Sequence, residues 1–231
     1  MLSYFTSESV TRGQPDKLCD IIADSILDEV LYQDPLGHVA CEVSATKNKL
    51  YIMGEISANA SVDYEAIARE VIAVTGYTEA DIGFDSDTCK ICVDIHEQSP
   101  DIARGLSKKE PMDCGAGDQG TIMGYACRET KNYMPFPIEY SHKLARRLDE
   151  VRMSGILPYI RPDGKTQVTV EYEDDKPKRI ASVIVSAQHK DNVSIDQLRK
   201  DIEENVIMPV LPQNMLDSKT TIYINPTGRF V

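Results

Sequence analysis

"HVACEVSATKNKLYIMGEISA", residues 38–58, decides how the chain is read. Val39, Cys41 and Val43 alternate with polar neighbours, the period of a half-buried strand, and Lys47-Asn48-Lys49 breaks the run with turn chemistry. Two strands joined by a tight polar turn are expected. Downstream, "VDYEAIAREVIAVTG" (62–76) reads as a helix ended by Gly76, and "TCKICVDIH" (88–96) as another strand. Upstream, Leu18, Ile22, Ile26 and Val30 recur every fourth residue and lay one apolar stripe on a helix from Asp16 to about Leu31. Asp20, Asp24 and Asp28 form a second column on that helix, most simply a solvated face.

The second half follows the same plan. "KTQVTVEYEDDKPKRIASVIVSAQH" (165–189) is strand, turn, strand, and "SIDQLRKDIEENVIMPVL" (194–211) is a helix opened by Ser194. Residues 54–72 and 183–207 both run from a strand end through a polar linker to a helix begun by Val-Asp or Ile-Asp. One structural unit used twice accounts for this, and so does the generic likeness of any two strand–helix units. Between the halves, "EQSPDIARGLSKKEPMDCGAGDQG" (97–120) has little periodicity and is expected to be a long mobile connector. The expected division is a domain at 1–103, a loop or linker at 104–120 and a domain at 121–231.

Composition bounds the function. A chain of 231 residues, 42% of them apolar, can build one large core or two modest ones. Lys and Arg number 25 against 37 Asp and Glu, so the net charge of -12 repels a nucleic-acid backbone, and a phosphate ligand must be met by a local site or a metal. No stretch approaches 18 apolar residues and "MLSYFTSESV" has no leader-like pattern, so no membrane segment and a cytoplasmic location are expected. The six Cys read as reduced thiols, mostly buried.

Several short stretches could carry chemistry. In "GQPDK" (13–17), Pro15 suits the first helical position, which makes Gln14 the cap and puts Asp16 and Lys17 in the first turn, where unpaired N–H groups attract anions. Asp16 could hold Mg2+ on a polyphosphate, although Pro and Asp also favour first turns for stability alone. "GAGDQG" (115–120) satisfies a dinucleotide pattern formally, but the residues before it are polar and broken by Pro111, so no strand leads into it. A loop presenting Asp118 survives that test. "CKIC" (89–92) lacks a second ligand pair for zinc. "RPDGK" (161–165) places Asp163 and Lys165 on a Pro-Gly turn leading into a strand, either a phosphate mount or simply a good hairpin turn. Arg229 and Phe230 could pair a phosphate contact with a stacking ring.

Taken together, "TSESVTRGQPDK", "EQSPDI", "GAGDQGTIMGYAC", "LPYIRPDGKTQVT" and "INPTGRF" resemble S-adenosylmethionine synthetase (methionine adenosyltransferase), in that family's order and over essentially the whole chain. The resemblance implies an α+β fold of repeated mixed-sheet domains, helices on the outer face, around a pseudo-threefold axis. It implies that ATP and L-methionine give S-adenosylmethionine and a triphosphate that is then cleaved to phosphate and diphosphate, with Mg2+ and K+ assisting. By the same resemblance Asp16 binds Mg2+, Glu42 lies by K+, and Gln14, Lys17 and Lys165 serve catalysis. Glu55 and Gln98 become methionine contacts and Asp118 a ligand to polar substrate groups. Asp163 to Lys165 contact the nucleotide, Ser186, Arg229 and Phe230 line the adenosine pocket, and Gln98 to about Lys108 forms a mobile lid. Family members form homodimers or tetramers.

Two departures accompany the resemblance. The family's first motif carries His where Gln14 stands; Gln donates a neutral hydrogen bond but cannot gain charge, so a weakened first chemical step is expected. The family also continues into a third domain after "INPTGRF", so the stretch read here corresponds to the first two of three. A non-catalytic homologue acting as a binding or regulatory partner of a full-length synthetase is the alternative expectation.

Overall fold

The computed structural model describes residues 1–97 and 120–231. The long connector, with Gln98 and Asp118, lies outside the described residues. The chain divides into two compact units: one holds Met1–Leu18, Thr75–Tyr77 and Tyr125–Val231, the other Cys19–Val74 and Thr78–Gly124. Strand pairing joins the first residues of the chain to the unit that holds Tyr125–Val231.

The second unit is built on a three-stranded sheet. Strands β2 (His38–Thr46) and β3 (Lys49–Ser57) pair antiparallel, and β4 (Lys90–His96) joins β3 in parallel. Asn48 makes the turn at φ 56, a left-handed conformation that Asn tolerates. Helix α1 (Pro15–Gln33) precedes the hairpin and α2 (Tyr64–Thr75) follows it. Ile22, Ile26 and Val30 of α1, Ala68 and Ile72 of α2, and Leu50 and Ile52 of β3 are completely buried, the apolar periods expected from the sequence. The chain leaves α2 through Gly76 at φ +109.

The first unit repeats that plan. Helix α3 (Phe136–Met153) leads into β5 (Ile160–Glu173), which pairs antiparallel with β6 (Lys176–His189). Asp174 and Asp175 turn the hairpin at φ 49 and 60, the signature of a type I′ turn. Helix α4 (Ile195–Ile202), capped by the Ser194 side chain on the Gln197 N–H, then leads to β7 (Thr221–Ile224), parallel to β6. Hairpin, helix and parallel third strand thus occur twice, which favours one unit used twice. Strand β1 (Leu2–Val10) adds to β5 antiparallel and completes the order β1-β5-β6-β7. Both sheets are mixed and helices flank them, so the fold is α+β.

Leu144, Leu148 and Val151 of α3 bury against Val168, Val170, Val183 and Val185 in this unit's core. Beyond α4 the helix widens into a π-turn at Glu203–Ile207. Pro209 has no N–H to offer the carbonyl of Asn205, and Arg147 Nε donates to that carbonyl instead, at 2.9 Å.

Candidate functional site

Gln14 closes the start of α1. Its Oε1 accepts the Lys17 N–H at 3.1 Å, and its own carbonyl accepts the Leu18 N–H at 2.9 Å, which is N-cap geometry. Its Nε2 donates to Asp16 Oδ2 at 3.2 Å. The amide therefore spends its acceptor on the helix end and a donor on the neighbouring carboxylate, as Pro15 and the cap position led one to expect.

The turn before this cap is stitched to the start of β5. Thr11 N–H donates to the Gly164 carbonyl at 2.9 Å, and Thr11 Oγ1 donates to the Pro162 carbonyl at 2.7 Å. Gly13 lies so close to Pro162 that an added Cβ would stand 2.3 Å from the proline Cβ. Tyr77, arriving just after Gly76, donates its hydroxyl to the Gly13 carbonyl. The anion-attracting end of α1 is thereby set against the Pro162–Lys165 segment. That segment is not the hairpin turn its Pro-Asp-Gly-Lys sequence allows. It is strand with a register irregularity between Ile160 and Gly164, where Gly164 pairs with β6 and Lys165 pairs with both β1 and β6. Gly164 sits in a crowded place: a Cβ would stand 2.8 Å from Leu148 Cδ2 and 3.2 Å from the Ser186 carbonyl oxygen.

Lys165 pairs across the sheet with Val10 on one side and Ser186 on the other. Thr166, fully buried, donates to the Ser141 carbonyl of α3, so Lys165 projects from the opposite, open face. Its ammonium is 3.3 Å from Glu8 Oε1 in an exposed pair that a stronger anion can displace. Asp163 is half-buried, and burial pushes its carboxyl up to about 6, against the lowering effects of the Gly164 N–H and of Lys165. Beyond Ser186, Asn225 clamps the β6 backbone at Ala187 through both ends of its amide (2.8 and 3.0 Å), and the His189 N–H donates to the Phe230 carbonyl at 2.8 Å. Arg229 pairs with Asp191.

The expected residues therefore fall into groups. Gln14, Asp16, Asp163, Lys165, Ser186, Arg229 and Phe230 all belong to the first unit. Lys17 also belongs there, but it lines a cavity with His142 and Arg146 of α3, on the side of the sheet away from Lys165. Glu42 and Glu55 belong to the second unit, where the β2–β3 register puts both on the exposed face of the sheet. Gln98 and Asp118 lie outside the described residues. Thr11, Gly13 and Tyr77, which hold the site together, were not singled out in the sequence; the Gly immediately before the cap was the available signal.

Among the described residues no group of three or more His, Cys, Asp or Glu could hold a metal. The exposed Asp16 carboxylate nevertheless suits Mg2+, a hard cation that takes one or two protein carboxylates and fills its shell with water and phosphate oxygens. Glu42 likewise offers exposed oxygen only, the donor an alkali cation takes. Of the described cysteines Cys19 and Cys89 are buried and Cys41, Cys92 and Cys127 only partly so, which is less burial than the sequence led one to expect.

The family comparison follows the same segments. Residues 3–100 match the N-terminal domain of S-adenosylmethionine synthetase, and residues 113–230 match its central domain. This chain belongs to the S-adenosylmethionine synthetase family. An S-adenosylmethionine synthase of Clostridium tetani (strain Massachusetts / E88) is 55% identical over 100% of this chain and 61% of its own length. One of Clostridium botulinum (strain Alaska E43 / Type E3) is 52% identical over the same shares. The chain thus spans 61% of the length of these synthases. Among the described residues no helix is long and apolar enough to cross a membrane.

Proposed function

We propose that the chain carries the ATP-binding part of a methionine adenosyltransferase, which forms S-adenosylmethionine from ATP and L-methionine and cleaves the triphosphate to phosphate and diphosphate. The observation that carries the reading is the stitching of Thr11 and Gly13 to Pro162 and Gly164, which sets the end of α1 beside Asp163 and Lys165. Attack of the methionine sulfur on the ribose C5′ expels a triphosphate, so the site's task is to take up growing negative charge without covalent chemistry. The α1 N–H groups and Lys165 supply fixed positive potential there. Mg2+, when bound at Asp16, would neutralise phosphate charge; K+ would act near Glu42. Asp163, ionised above about pH 6, accepts hydrogen bonds from a ribose or amino group.

Glu55, Gln98 and Asp118 are proposed for the methionine and polar substrate groups, and Ser186, Arg229 and Phe230 for the adenosine. Glu55, in the second unit, Gln98 and Asp118 join the set by family resemblance alone. The assembly proposed is a homodimer or tetramer, in the cytoplasm.

A second reading has its own support. Gln14 is held on both ends, by the Lys17 N–H and by Asp16, and is a neutral donor where a chargeable group would assist the leaving triphosphate. A partner role beside a full-length synthetase would tolerate that. Calorimetry with ATP and methionine, followed by product assay before and after Gln14→His, separates the readings. The first expects ATP binding in both proteins and a gain in turnover on the order of 10²- to 10³-fold in the variant. Absence of ATP binding in both would remove the enzyme reading.

A further inference from the structure

The cavity that Lys17 lines lies within the first unit, on the α3 side of the sheet rather than the open side that carries Lys165. Its volume is about 370 Å³. Ser9 from β1, Arg12 from the following turn, Lys17 from the first turn of α1, and His142, Arg146 and Asp149 from α3 line it. In a chain of net charge -12, this concentrates three permanent cations around one space with a single carboxylate among them.

That carboxylate is already engaged. Asp149 accepts the Arg12 backbone N–H at 3.1 Å, stands 3.7 Å from Arg12 Nε, and pairs with Arg152 at 3.2 Å. Lys17 and Arg146 form no ion pair among the described residues. Glu139, whose carboxylate feels Arg146, is held at 3.0 Å by Lys143 and at 2.8 Å by Asn132. His142 is oriented by Ser9, whose Oγ lies 2.8 Å from Nδ1, and its Nε2 has no hydrogen bond among the described residues. Burial, and after it the charges of Lys17 and Arg146, hold the imidazole below its ordinary 6.5, so both cations act on one point in the cavity.

We infer that this cavity is an anion site, separate from the ATP site proposed above, and that it takes a compact phosphate-class oxyanion. Two guanidinium groups, an ammonium and one free donor of the bonded Ser9–His142 pair line it, a donor set suited to phosphate oxygens. Among the described lining residues there is no Phe, Tyr or Trp, so no large ring is offered to a nucleobase. Its size exceeds a single phosphate and accommodates a diphosphate, which places inorganic diphosphate ahead of inorganic phosphate as occupant. The inference concerns a site on the other side of the sheet and does not depend on methionine adenosyltransfer.

The test is isothermal titration of the purified chain with sodium diphosphate and, separately, sodium phosphate at constant ionic strength, without metal. Arg146→Gln and Lys165→Ala are titrated in parallel. Arg146 is exposed at the cavity rim, so its removal leaves the core intact. Saturable diphosphate binding that weakens about tenfold or more in Arg146→Gln and is retained in Lys165→Ala is the expected result. A His142→Ala variant with the melting temperature of the parent is expected to weaken binding as well. Binding that is lost in Lys165→Ala but unchanged in Arg146→Gln, or heat that does not saturate, overturns the inference.

Discussion

The hydroxyl of Tyr77 donates to the carbonyl of Gly13, joining the second residue after helix α2 to the residue that precedes the cap of helix α1. Tyr77 is only 6% exposed, so neither group has water as a ready substitute partner. Burial and the nearby Asp163 carboxylate hold the phenol well above its usual range, which keeps it a donor at any working pH. Tyr77→Phe leaves the Gly13 carbonyl without that bond, and a loss of about 1–3 kcal/mol in urea unfolding is expected.

Gly13→Ala tests the stitching from the other side. The added methyl would stand 2.3 Å from Pro162 Cβ and 2.6 Å from the Pro162 carbonyl carbon and oxygen, so backbone has to move. Overpacking of this kind costs about 1–3 kcal/mol. A drop in melting temperature together with weaker ATP binding is expected; unchanged ATP affinity in calorimetry would show that the turn and the Asp163 segment act independently.

Asp163 gives a pH dependence with a definite sign. Its folded-state pKa of about 6 lies above the ordinary 3.8, so between these values the folded chain binds more protons than the unfolded chain. Its contribution to stability is therefore present below about pH 4 and falls as pH rises through 6. Asp163→Asn removes this dependence. The melting temperature of the variant minus that of the parent should become more positive from pH 4 to pH 7, whereas a flat difference would mean that the carboxyl is not perturbed.

Gln14→Ala deletes the acceptor of the Lys17 N–H at the start of α1. Loss of a helix cap costs about 0.5–2 kcal/mol. Circular dichroism melts are expected to register that loss, while Gln14→Asn, a better cap by type, should lose less.

Much of this architecture was legible in local pattern. The β2–β3 hairpin, its twin β5–β6, the caps Gln14 and Ser194 and the helix-ending Gly76 all rest on residues close in sequence. Helix α3 carried an apolar column at Tyr140, Leu144, Leu148 and Val151, but charged residues between them lower its mean hydropathy and mask the period. Strand β1 escaped because most of its length is exposed and shows no clean alternation. The site residues Gln14, Asp16, Asp163 and Lys165 stood out by type and turn position. Their framework did not, since Thr11 meets Pro162 across 151 positions and Tyr77 meets Gly13 across 64. The cavity at Arg12, His142 and Arg146 was hidden for the same reason: its walls come from elements that meet only after folding.

The pairing of β1 with β5 governs the order of events at the ribosome. Leu2 opposes Glu173 and Val10 opposes Lys165, so strand β1 finds its hydrogen-bonding neighbour only after the residues between Val10 and Lys165 have been translated. Until then its amides stand unpaired while the Cys19–Val74 segment can already collapse. Pairing of this strand thereby waits on the emergence of β5, and any delay before β5 appears prolongs the interval in which a chaperone, or another nascent chain, can claim that edge.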